Sequence, residues 1–197
     1  MAINRLSQST AQSAFPKFTN FWDGTTATSS FDSLGSVYIT SATSTITFSS
    51  IPQTYQHLEI RSFAANSASS NQYVKLVFNS DANANYSEHH LSGNGSAMSS
   101  GSNSLYNNGG FYWGMGLPGT SLTSVFGSGV TSILDYSNTS KYKTVLSFDG
   151  FDGNGSGGIE LVSSNWRSTS GITSITLTVN EGNNFRQYSS FSLYGIK

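Results

Sequence analysis

The sequence predicts an all-β protein: an antiparallel β-sandwich, jelly-roll in type, led by an extended N-terminal arm. Composition is the first reason. Among 197 residues there are 39 Ser and 19 Thr, which suit exposed strand faces and turns, and 13 Phe, 10 Tyr and 3 Trp, which supply large buried surfaces. Period is the second reason: roughly ten segments alternate apolar and polar residues, and none after the arm carries a helical stripe. Clusters of Gly, Asn and Ser separate these segments at the spacing of a two-sheet sandwich and not of βαβ units. No internal repeat is visible, which disfavours propellers and solenoids.

Residues 1–30 form the arm and residues 31–197 the domain. Phe15, Phe18, Phe21 and Trp22 place four aromatic rings within eight positions that have neither strand nor helix period, and Pro16 biases Phe15 away from helix. Rings so clustered need a cover, either the protein's own sandwich or a neighbouring subunit, and these four residues are the candidate partner-docking anchors. Phe31 to Thr40 and Thr43 to Ser49 read as strands leading into Tyr55 to Phe63, the longest glycine-free alternation. There Leu58 and Ile60 share the core face, while His57, Glu59, Arg61 and Phe63 share the other, which faces solvent or a partner chain.

Strands are next expected over Gln72 to Asn79 and Tyr86 to Ser92. Gly93 to Gly110 follows as a long Gly/Ser/Asn loop, and loops of that length are commonly functional. The remaining strands are Phe111 to Pro118, Ser124 to Tyr136, Lys141 to Phe148, Gly158 to Trp166, Ile172 to Val179 and Gln187 to Ile196. The last one is expected to lie centrally, with its alternation shifted at Gly195.

Formal net charge is −1 and the nine basic residues are scattered singly, which argues against nucleic-acid and membrane partners. Cysteine is absent, so disulfides, thiolate chemistry and Cys-based zinc sites are excluded together. No apolar run approaches the roughly 20 residues of a membrane span, and the first residues lack the apolar core of a signal peptide. The chain is therefore expected to be made in a cytoplasm.

Nothing points to catalysis. Gly-x-Ser-x-Gly, Walker and dinucleotide glycine motifs are missing, and the scattered carboxylates Glu59, Glu88, Glu160 and Glu181 form no pair recognisable from spacing. His89 and His90 point to opposite faces of one strand and cannot share a metal, although Glu88 and His90 share a face. Asp152 to Gly157 resembles the first half of a calcium loop, to which Asp149 and Asp152 would lend oxygens. Ser163 stands where the bidentate Glu belongs, so a hairpin turn explains the same residues more simply. No catalytic residue, metal or cofactor is assigned.

Several stretches carry a resemblance: Phe15 to Phe21, Ile46 to Arg61, Val77 to Asp81, Ile133 to Tyr142 and Phe191 to Lys197. On these the chain resembles a family of small phage virion proteins found among phages of cyanobacteria and other marine bacteria. The resemblance implies a virion location and a structural role without cofactor or catalytic residue. Within that setting the aromatic arm and the sandwich edges are expected to make it a capsid decoration or cement protein that binds the major capsid protein or other virion proteins, and excess aromatic surface with few charges leads to the expectation of a homotrimer. The alternative is a tail-fibre or tail-tip protein whose Tyr/Trp/Asn-rich loops, especially Ser92 to Trp113, bind host glycans.

Overall fold

A computed structural model describes residues 30–104 and 109–197, and over them the chain is a sandwich of two antiparallel sheets. Its strands are β1 (Phe31–Tyr38), β2 (Thr45–Phe48), β3 (His57–Ala64), β4 (Gln72–Phe78), β5 (Tyr86–Gly93) and β6 (Met98–Asn103), then β7 (Phe111–Leu117), β8 (Gly127–Leu134), β9 (Lys143–Asp152), β10 (Gly157–Trp166), β11 (Ile175–Val179) and β12 (Ser190–Ile196). One sheet has eight strands in the order β1-β12-β3-β8-β9-β10-β5-β6, and the other has four in the order β2-β11-β4-β7. The order is compatible with a jelly roll without identifying one.

The central stretch folds as its alternation predicts. Leu58 and Ile60 are fully buried, and β3 lies inside the larger sheet between β12 and β8. Truncating either side chain to alanine is expected to cost about 2 to 5 kcal/mol, measured as a fall in the urea midpoint. β12 is central too, paired with β1 on one side and β3 on the other. Its register runs through Gly195 without a shift, contrary to expectation. Phe191 and Leu193 face the core, and Gly195 continues that face because any Cβ there would sit 2.5 Å from the Tyr55 ring.

The expected long loop after β5 is partly a strand. Met98 to Asn103 pairs with β5 as β6, although six small or flexible residues carry almost no strand propensity. Pairing against an existing strand supplies the ladder hydrogen bonds that propensity cannot. β9 likewise runs four residues beyond its expected end, through Asp152.

The core is aromatic at one end. Phe78, Tyr86, Phe111 and Trp166 are buried together, with ring centroids 5.5 to 6.5 Å apart. Each polar tip has a partner: Tyr86 Oη accepts from the Phe78 N–H at 3.1 Å, and Trp166 Nε1 donates to Asp81 Oδ2 at 2.8 Å. Lys143 is fully buried as well. Its ammonium is held by the carbonyls of Asn138, Lys141 and Thr169, so the buried charge is hydrogen-bonded to backbone. Burial, with Lys141 nearby, pushes the pKa of that ammonium down.

Candidate docking face

Strands of the larger sheet alternate between an inner and an outer face, and on β8, β9, β10 and β5 the outer face carries an apolar row set among Ser128, Ser132, Thr144, Ser163 and His89. Val130 pairs with Phe148, Phe148 with Leu161 and Leu161 with Leu91, so four adjacent strands contribute one continuous row. All four side chains are exposed, from 42% at Val130 to 57% at Phe148. Leu146 and Ile159 flank the row on neighbouring registers and are exposed as well. Arg61 closes it at β3 and Ser100 at β6.

Single exposed apolar residues are ordinary on soluble proteins. A contiguous row backed by flanking residues is the feature that marks an interaction surface.

Why these strands turn their apolar residues outward is legible in β9 and β10. Val145 and Phe151 on β9 and Val162 and Trp166 on β10 take the inner face, and strict alternation then sends Phe148, Ile159 and Leu161 out. The same phase carries Asp149 and Glu160 inward as direct cross-strand neighbours, 5% and 6% exposed. Asp149 Oδ2 accepts from Ser147 Oγ at 3.3 Å, and Asp149 Oδ1 has no hydrogen-bond partner among the described residues. Burial, reinforced by the neighbouring Glu160 charge, pushes the Asp149 carboxyl up to about 7.

Beyond the edge of the smaller sheet at β7, strands β10, β5 and β6 of the larger sheet form the floor of a polar cleft of about 300 Å³. Glu88, His90, Asn103 and Glu160 line its floor, with Tyr73 and Tyr112 beside them. Glu88 accepts from the Tyr112 backbone N–H at 3.0 Å and from Asn103 Nδ2 at 3.2 Å, so this carboxylate satisfies the open edge of β7. Glu160 stands opposite Ser92 and Glu88 opposite Ser164, four residues out of register, which sets their backbones about 14 Å apart.

The residues singled out from sequence fall as follows. Phe15, Phe18, Phe21 and Trp22 lie outside the described residues. His89 is on the outer face and His90 on the inner, as their adjacency requires. Asp149 and Asp152 project from opposite faces of β9 and cannot share one cation. The glycine-rich stretch is the β9–β10 hairpin: Asn154 and Gly155 have φ of 57° and 97°, and Asp152 Oδ1 accepts from the Asn154 N–H at 2.8 Å. No group of three His, Asp or Glu side chains able to hold a metal occurs among the described residues. Nor, among them, is any helix long and apolar enough to cross a membrane.

The β3 outer face is mixed: Glu59 and Arg61 pair at 2.8 Å, and the Arg61 guanidinium lies over the Phe31 and Tyr194 rings. No family model, curated protein or solved structure matches the chain.

Proposed function

We propose that this protein is a structural component of a phage particle, a capsid decoration protein that docks on neighbouring capsid subunits and holds them together. The observation that carries this reading is the row Val130, Phe148, Leu161 and Leu91, an apolar stripe across the outside of the larger sheet. Burying such a stripe against another protein contributes roughly 25 cal/mol per Å² and needs no chemistry. It resists outward pressure by adding contacts across subunit boundaries. The resemblance to phage virion proteins supplies the setting, and the aromatic segment Phe15, Phe18, Phe21 and Trp22 supplies further anchors.

The test is attachment. Purified protein added to particles lacking it is expected to bind the head in many copies and to reduce DNA loss on heating, whereas Phe148→Glu protein leaves the head bare. A head surface that stays bare with the unaltered protein, or equal binding by the Phe148→Glu variant, sinks the reading.

A second reading draws on the cleft beside Tyr73 and Tyr112, which is built partly from the stretch between Ser92 and Trp113. Paired aromatic rings with carboxylate and amide groups suit a host glycan. A few copies confined to the tail would favour it.

A further inference from the structure

Beside Phe148 the outer face is hollow. A depression of about 520 Å³ is floored by Ser128, Gly129 and Gly150 and walled by Val130, Phe148 and Ile159. The hollow is intrinsic to the fold. Gly150 pairs with Ser128 on one side and Ile159 on the other, and a Cβ at Gly150 would lie 2.5 Å from the Gly158 carbonyl oxygen. No larger residue fits there without moving backbone, so the strand pair keeps a gap where its neighbours carry rings and branched chains.

Phe148 and Gly150 are two residues apart on the same face of β9, so knob and hole lie about 7 Å from one another. We propose that this face is an interface with a second copy of the chain, related by a two-fold axis between Phe148 and the hollow, with each Phe148 seated in the partner's hollow. This rests on the docking reading above and names a second copy as the occupant of the same face in free solution, to be exchanged for the capsid subunit on the head.

Three features select a second copy. A protrusion and a matching recess side by side on one surface are what an isologous contact requires, because the two-fold exchanges them. A head-to-tail contact, by contrast, would need its recess elsewhere on the molecule. The row itself carries no charge, and Arg61 and Asp152 stand only at the rim of the hollow, so two identical faces meet without like-charge repulsion in their centre. The size is within reach: four strands across by three side-chain rows is on the order of 400 Å² of flat area, which side-chain relief raises toward the roughly 800 Å² per partner of a standard interface. The symmetry inferred is two-fold, where the sequence alone suggested three-fold.

Light scattering at tens of micromolar tests this. The unaltered chain is expected at twice its 21.0 kDa mass. Phe148→Glu, which removes the knob, and Ser128→Phe, which fills the hole, are each expected to give monomers, with dissociation constants raised at least ten-fold. Both positions are on the outer face, so far-ultraviolet dichroism and thermal midpoint should stay near those of the unaltered protein. If Phe148→Glu fails to fold, Ser128→Phe decides alone. A monomer or trimer for the unaltered chain, or a dimer indifferent to both substitutions, overturns the proposal. The two readings fail separately: a monomer whose attachment to heads is still abolished by Phe148→Glu leaves docking intact and removes only self-association.

Discussion

Trp166→Ala is expected to lower the unfolding free energy by about 5 kcal/mol, a large share of the 5 to 15 kcal/mol that holds a domain folded. Two losses add. The indole is 2% exposed and packed between Tyr86, whose ring is stacked at 6.4 Å, and Phe78 at 5.5 Å, so removing it leaves a cavity that costs about 3 to 5 kcal/mol. It also donates from Nε1 to Asp81 Oδ2. Burial pushes the Asp81 carboxyl up, but hydrogen bonds from Asn85, Trp166 and Asn83 more than reverse this and hold it below the ordinary carboxylate range. Trp166→Phe keeps most of the packing and loses that bond, so it should cost only about 1 to 3 kcal/mol. Urea unfolding of both variants separates the terms. If Trp166→Phe costs as much as Trp166→Ala, then the bond and not the cavity governs, and the packing account of this end of the core is wrong.

The second large effect is in stability against pH. Asp149 titrates near 7 in the folded chain and near 3.8 when unfolded, because burial and the facing Glu160 penalise its charged form. Between those values the folded state holds a proton that the unfolded chain has released, so stability contributed by this group is greatest below about 4, falls as pH rises, and levels off above about 7. The full decline is on the order of 4 kcal/mol at about 1.4 kcal/mol per unit. Asp149→Asn cannot ionise. It is expected to match the unaltered protein near pH 4, to exceed it by up to about 4 kcal/mol at pH 8, and to flatten the profile between. Urea midpoints over that range would show it, and an unaltered slope in the variant would mean that Asp149 does not titrate as its surroundings imply.

How far each element could be read in advance follows from its neighbours. β3 was legible because its two faces differ: Leu58 and Ile60 against His57, Glu59 and Arg61 leave only one phase that buries apolar groups. β6 was hidden because Met98 to Asn103 looks like a loop until β5 is beside it. The candidate anchors Phe15, Phe18, Phe21 and Trp22 are conspicuous in sequence as aromatics without a period. The outer row was not, because its members lie on four strands that are neighbours only in the sheet.

The sequence by itself determined that this chain is a β-sandwich: alternation, turn residues and the want of helical stripes are local, and local preference suffices for class. It also determined the absence of thiol chemistry, since the chain has no cysteine. Which face of β9 and β10 lies inside was decided only by the tertiary structure. Judged locally, Ile159 and Leu161 belong in a core and Glu160 belongs in water. The fold inverts this, because Trp166 and Val162 on the same strand meet Phe78, Tyr86 and the rest of the core, and strict alternation cannot bury both sets. Seating the largest ring sends Ile159 and Leu161 outward and Glu160 inward beside Asp149. The apolar outer face and the perturbed carboxyl are two consequences of that one choice of phase.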